Sequence, residues 1–368
     1  MDIVHLVQLM KDRGASDIHI GIEKPPMLRI DGVLTPVEKE EKISAERAQQ
    51  VIYSILNDDQ KMKFEENNEL DLSFGVKDTA RIRMNVFRQK GTVCAALRSI
   101  PDEVPNFERL RLPSIVNDIV NLPPKSPGLV LVTGPTGTGK TTTLASMIDY
   151  INTNRKEHII TVEDPIEFFH RSKESIVHQR EIVADTKSFT NALKYVLRQD
   201  PDIVLVGEMR DLETIRVTLN IAETGHLVFS TLHTSDAVQS INRIIDVFPK
   251  NEQRQVRTQL SFVLKAVISQ QLLPHISGTG RILACEVLSA TEAVRSLIRD
   301  EDPKKLPQIY TCMQTGKEHK MQTMNMSIQE LYDNKLITYE DALKYSPRPE
   351  ELKQLIGGQY YYERRNLY

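Results

Sequence analysis

The sequence predicts an α/β chain in two parts, a small α+β module followed by a larger domain built on a mainly parallel sheet. Three observations carry this. Residues 129–143, LVLVTGPTGTGKTTT, pass from an aliphatic strand through a glycine-rich loop into a helix. Three further aliphatic strands downstream end in acidic residues or histidines and are separated by helical stretches, the alternation that builds a parallel sheet. Upstream, residues 1–104 show short strands with turn signals between helices. The 368-residue length suits two domains.

Composition bounds the function. The chain is 40% hydrophobic and 26% charged, ordinary for a globular protein, and its net charge of −3 argues against a dominant nucleic-acid surface. No aromatic-plus-basic stripe tracks a single strand, so no direct nucleic-acid partner is expected. Cys94, Cys285 and Cys312 are too far apart for a disulfide framework or a zinc knuckle, so no zinc is expected and a reducing cytoplasm fits. The N-terminus is too polar for a signal peptide, and no stretch has the length of a membrane span. Membrane contact is therefore expected only through partners.

Taken in order, residues 3–10 space Ile3, Val4, Leu6, Val7 and Met10 as an amphipathic helix that Gly14 stops. Asp17–Ile20 alternates like a half-buried strand. Met27–Ile30 runs into Asp31-Gly32, a hairpin turn signal. Ser44 starts the next helix, with Arg47 where a capping box would carry Glu. Strands follow at 71–74, 80–87 and 91–100. In ARIRMNVFR, Ile82, Met84 and Val86 share one face, while Arg81, Arg83 and Asn85 share the other. Those arginines, with Arg98 on the next strand, are either a solvated face or partners for the phosphates of a nucleotide bound elsewhere. Residues 101–127 are rich in proline, and 105–127 read as an inter-domain connector of limited flexibility with a short helix near 113–121. The second domain is expected over 128–368, with strands at 158–162, 202–206, 226–231 and 281–288 and helices after Thr291. The C-terminal YYYERRNLY reads as a tail or packing strip.

The loop Gly134-Pro135-Thr136-Gly137-Thr138-Gly139-Lys140-Thr141-Thr142 matches G-x-x-x-x-G-K-[ST] in its strand-to-helix context. Its backbone N–H groups point inward as an anion nest, and the helix adds its positive end to the same spot. Lys140 reaches β- and γ-phosphates, and Thr141 can ligate Mg²⁺, so ATP and Mg²⁺ are the implied ligands. Hydrolysis also needs a group to orient water. Glu163, ending one strand, is the first candidate, with Asp164 supporting it or ordering the metal shell. Glu208 ends IVLVGE where a Walker B acid stands. Gly207 occupies the usual aspartate place, so Glu208 is expected to reach Mg²⁺ through water. His226 and His233 bracket the LVFST strand and are candidates for sensing the γ-phosphate.

Together GPTGTGKTTT, ITVEDPIE (160–167), DPDIVLVGEMRDLETI (200–215) and AETGHLVFSTLHT (222–234) resemble the secretion and type IV pilus ATPases. Residues 14–20 (GASDIHI), 25–32 (PPMLRIDG), 107–113 (FERLRLP), 293–300 (AVRSLIRD) and 321–323 (MQT) resemble in order its pilus retraction branch, the PilT family. That resemblance implies a PAS-like N-terminal domain, a RecA-like ATPase domain, a homo-hexameric ring and hydrolysis coupled to pilus retraction. It also implies an inner-membrane platform protein as partner, on the cytoplasmic side. By motif position Glu163 is similar to the catalytic glutamate, Glu208 to the Walker B glutamate, and His226 and His233 to the histidine box. Arg81, Arg83 and Arg98 fall where the family supplies inter-subunit arginines. The absence of a CxxC pair separates the chain from extension and secretion ATPases with a four-cysteine zinc motif. AVRSLIRD and Ser230 depart slightly from the family pattern. A different class, a nucleotide-dependent accessory ring with little turnover, is the alternative; the intact EDPIE and GEMRD boxes argue against it.

Overall fold

The computed structural model describes residues 2–30, 32–38, 40–76, 80–100, 103–123, 125–302 and 304–365, without the side chains of Ala80 and of residues beyond 357. Asp31 of the expected turn, Pro101 and Pro124 of the proline-rich stretch, and the end of YYYERRNLY lie outside the described residues. The chain divides into two compact units, Met1–Glu103 with Glu167–Phe169, and Val104–Ile166 with His170–Tyr368.

The first unit is an antiparallel sheet of β1 (Asp17–Ile20), β2 (Met27–Ile30), β3 (Val33–Pro36), β4 (Glu69–Val76), β5 (Ala80–Gln89) and β6 (Thr92–Ile100), in the order β3-β2-β1-β6-β5-β4. Helix Ile3–Asp12 starts where the Asp2 carboxylate accepts from the Val4 amide at 3.1 Å. Helix Ala45–Tyr53 starts on Ser44, whose hydroxyl accepts from the Arg47 amide at 3.2 Å. A third helix, Asp58–Asn67, was not expected, although Asn57 and Gln60 form a full capping box there. Ile82, Met84 and Val86 are completely buried against these helices. The arginines of β5 therefore face the other way, as the period of two requires.

The second unit carries seven strands: β7 (Gly128–Thr133), β8 (His158–Glu163), β9 (Ile176–Glu181), β10 (Ile203–Val206), β11 (Leu227–Leu232), β12 (Leu264–Pro274) and β13 (Arg281–Ser289). Their order is β13-β12-β7-β11-β10-β8-β9, and only β13 pairs antiparallel. Side chains alternate between two cores: Leu129, Leu131, Val204 and Val206 on one face, Val130, Val132, Ile203 and Leu205 on the other. The strands buried on both faces read as unbroken aliphatic runs, as central parallel strands do.

Two strands escaped the sequence reading. β9 is IVHQRE, too polar to announce itself at a sheet edge. β12 follows helix Lys250–Val263 with no glycine or proline between them, so nothing local marks the change of period. The proline-rich stretch also differs from a bare connector. It forms helices Phe107–Leu110 and Ile115–Val120, with Phe107 stacked on Tyr150 at 5.1 Å and Val116 and Val120 fully buried on this unit.

Glu286 on β13 ties the C-terminal helices to the sheet. Its carboxylate accepts from the Ala237 amide at 2.9 Å and also from the Met324 amide, so it stands at the starts of two helices. Burial, with Asp236 adding to it, pushes its pKa up to about 7. The folded chain thus holds that proton more tightly than the unfolded chain. This group's contribution to stability is full below about 4.5 and is lost as pH rises through about 7. Glu286→Gln should remove that slope: between pH 5 and pH 8 the variant's melting temperature loses less than the wild type's. Parallel slopes would mean that Glu286 does not titrate in this window.

Candidate active site

The parallel strands β7, β11, β10 and β8 place their C-terminal ends on one edge, the edge at which open α/β sheets bind ligands. Thr133 pairs with Leu232, Ser230 with Val206, and Val206 with Val162. Register alone therefore sets Gly134, His233, Glu208 and Glu163 along that edge.

The phosphate loop leaves β7 at Gly134 and enters helix Lys140–Asn154. Gly134, Gly137 and Gly139 take φ of 140°, 82° and 87°, which disfavour any side chain. The demand is strictest at Gly134, where an added Cβ would lie 2.5 Å from the Gln270 carbonyl oxygen and 2.8 Å from Thr138 Oγ1. Gly134→Ala must therefore move the loop or β12. The KM for ATP should rise at least about tenfold in steady-state turnover; an unchanged KM would mean that the loop absorbs the methyl at no cost.

Thr138 Oγ1 donates to the Pro135 carbonyl at 2.9 Å and closes the loop on itself. Lys140, only 8% exposed, folds back so that its ammonium donates to the carbonyls of Gly134 at 2.8 Å and Pro135 at 3.0 Å. Its charge thus sits inside the ring of loop amides. Thr141 and Thr142 are half-buried on the first turn of the helix, while Pro135, Thr136 and Gly137 are exposed at the loop's mouth.

Glu163, the last residue of β8, is 6% exposed. Its Oε1 accepts from Thr161 Oγ1 at 2.7 Å and from Gln179 Nε2 at 3.2 Å. Thr161 shares its strand face, and Gln179 is Thr161's cross-strand partner on β9. These two contacts orient the carboxylate. Sequence reasoning missed both: Thr161 was discoverable from the two-residue spacing, whereas Gln179 required knowing that β9 is a strand. Asp164 follows on an exposed turn, joined to Pro165 by a cis peptide bond.

Glu208 and His233 come together. His233 Nε2 lies 3.1 Å from Glu208 Oε2, and Arg210 Nε pairs with Glu208 Oε1. Gly207 has a packing reason: a Cβ there would stand 3.2 Å from the Val162 carbonyl oxygen and 3.3 Å from Glu163 Cα. Close packing of β10 on β8 replaces the usual aspartate, and the acid falls one place later.

His226 is a correction. It precedes β11 rather than following it, so it stands on the opposite edge of the sheet from the phosphate loop. Its backbone carbonyl receives the Gly128 amide at the start of β7, and its ring Nδ1 lies 3.1 Å from the Ile221 carbonyl. The six residues of β11 hold it about 20 Å from His233. Only His233 of the two joins the loop's edge within one chain.

The candidate arginines lie on the first unit. Arg83 and Arg98 are direct cross-strand partners. Arg98 Nε donates to Asp17 Oδ1 at 2.8 Å, while Arg83 reaches Asp71 only at 4.0 Å. Burial raises the Asp17 pKa, but hydrogen bonds from Ser16 and Arg98 outweigh it and hold the carboxyl below its usual range. Arg81 donates to Ser73 Oγ at 3.3 Å, and its buried Nε has no hydrogen-bond partner. Like charges directly opposite one another destabilise a sheet, and here the carboxylates of Asp17 and Asp71 offset the exposed Arg83–Arg98 pair.

A family model for type II/IV secretion system proteins matches residues 2–348. The type IV pilus retraction ATPase PilT of Pseudomonas aeruginosa is 46% identical over 350 residues, covering 95% of this chain and 99% of that one. A twitching motility protein of Neisseria gonorrhoeae is 47% identical over 327 residues, covering 89% of this chain and 86% of its own length. The crystal structure of the pilus retraction motor PilT with bound ADP superposes with a TM-score of 0.89 at 50% identity, over 96% of this chain and 99% of that one. Matched by that family model over residues 2–348 and similar to these proteins over nearly its full length, the chain belongs to the type II/IV secretion system protein family, among its type IV pilus retraction ATPases.

Proposed function

We propose that the chain works as a homo-hexameric motor in which Mg²⁺-dependent ATP hydrolysis drives type IV pilus retraction and twitching motility. The observation that carries this is Glu163, buried and fixed by Thr161 and Gln179 on the edge that holds the phosphate loop. In this reading residues 1–104 are a PAS-like domain, 105–127 join it to the motor, and 128–368 are a RecA-like ATPase domain.

The triphosphate lies in the loop 134–142, with Lys140 spanning its β- and γ-phosphates. Glu163 orients a water against the γ-phosphorus and takes its proton as the bond to the bridging oxygen breaks, leaving ADP and phosphate. Among the described residues no group of three or more His, Cys, Asp and Glu could hold a metal, which suits Mg²⁺ bound largely through phosphate and water. Thr141 would supply the protein hydroxyl and Glu208 would act through water, since Arg210 and His233 already occupy both its oxygens. The ion would neutralise charge on the β- and γ-oxygens. His233, bonded to Glu208, is placed to report the γ-phosphate. Arg81, Arg83 and Arg98 serve the nucleotide of a neighbouring subunit, a role supported by the exposure of Arg83 and Arg98 side by side on their sheet.

No helix among the described residues is long and apolar enough to cross a membrane. The ring acts at the cytoplasmic face of the inner membrane, held there by a platform protein of the pilus machine. The testing measurement is ATP turnover across a protein concentration series with the oligomeric mass recorded alongside. Turnover per chain should rise as hexamers form. A well-formed hexamer without turnover would leave an accessory ring as the better reading.

A further inference from the structure

β12 and its hairpin partner β13 touch the phosphate loop at points that the motif does not contain. Ser269 Oγ accepts from Thr133 Oγ1 at 2.9 Å, just before the loop begins. The Gln270 carbonyl oxygen lies where a side chain at position 134 would fall. Gln270 Nε2 donates to Thr143 Oγ1 at 2.7 Å, on the first turn of the loop's helix. One residue of β12 therefore stands against both ends of the loop: its carbonyl oxygen leaves no room for a side chain at Gly134, and its side chain bonds the start of the helix.

Gln270 is an expensive residue at this place. It is 1% exposed, and its Oε1 has no hydrogen-bond partner. Its partner on β13 is Cys285, whose thiol is pushed up to about 12 by burial while a hydrogen bond from the Gln270 side chain opposes that shift. An amide with an orphaned acceptor in an apolar setting is worse for folding than an apolar side chain of the same size. Packing does not account for it. Its donor does: the bond to Thr143 ties β12 to the helix one turn from Lys140 and beside Thr141.

We propose that Gln270 is a positioning residue for the nucleotide, acting through Thr143 to hold the first turn of the phosphate-loop helix against β12. This rests on the reading of loop 134–142 as the phosphate site. Gln270→Met keeps the volume and removes the donor. The KM for ATP should rise about tenfold and the affinity for ADP should fall to match, while kcat changes less than about threefold. The melting temperature should hold or rise, because the orphaned acceptor is gone. A residue with a merely structural role predicts the reverse, a lower melting temperature with KM unchanged. Thr143→Val should reproduce the KM effect, and the double variant should be no worse than either single one if the two act through one bond. Additive effects, or an unchanged KM in Gln270→Met, overturn the proposal. Lys140→Ala in the same ADP titration separates the two readings: normal ADP binding there would overturn the phosphate site itself.

Discussion

Glu163→Gln should bind ATP and ADP as the wild type does and turn over at least about a hundredfold more slowly. The substitution is nearly isosteric, and the amide oxygen can still accept from Thr161 Oγ1 and Gln179 Nε2, the two groups that hold Oε1. The side chain therefore keeps its place while losing the ability to take a proton from water. Since Glu163 itself is 6% exposed, bulk water does not readily substitute for the missing base. The loss should fall on kcat with KM nearly constant, the pattern of an interaction made only in the transition state. A single-turnover assay beside an equilibrium titration with ADP separates chemistry from binding and from release. Normal turnover would remove Glu163 from the mechanism. Lost binding would make it a structural carboxylate of the β8 end.

Most of this edge was legible because its signals are local. The phosphate loop is one continuous motif, and Glu163, Glu208 and His233 each follow an aliphatic strand whose direction is set by the parallel alternation. The same rule could have removed His226 at once: in a parallel strand the two flanking residues lie on opposite edges. The partners that tune the site were not legible, because each is distant in sequence. Gln270 and Thr143 are 127 positions apart, and nothing near β12 marks it as a strand. Arg295, inside AVRSLIRD, shows the same limit. The motif's resemblance linked the segment to retraction without giving the arginine a contact, whereas the structure has it donating to the carbonyls of Ser261, Phe262 and Leu264 at the end of helix Lys250–Val263. Like β12 itself, that bonding depends on tertiary contacts rather than on propensity.

Lys140→Ala should lose ADP affinity by about a hundredfold or more, a larger binding effect than any other single change at this edge. Two costs add. The ammonium's charge-assisted bonds to the phosphates disappear, each worth roughly 1.5–3 kcal/mol in a protected site. The Gly134 and Pro135 carbonyls, which accept from Nζ at 2.8 and 3.0 Å, also lose the donor that folds the loop round its own centre. Isothermal titration with ADP and with pyrophosphate reads both, because pyrophosphate tests the phosphate contacts alone. Equal losses for the two ligands place the whole effect at the phosphates. A loss confined to ADP, with pyrophosphate bound as before, would remove Lys140 from the phosphate site. The contrast with Glu163→Gln then becomes a test of motor against regulator. A motor is disabled by either variant, since it needs both binding and cleavage. A ring that acts by binding alone keeps its function in Glu163→Gln and loses it in Lys140→Ala, and twitching of cells carrying each variant in place of the wild type distinguishes the two.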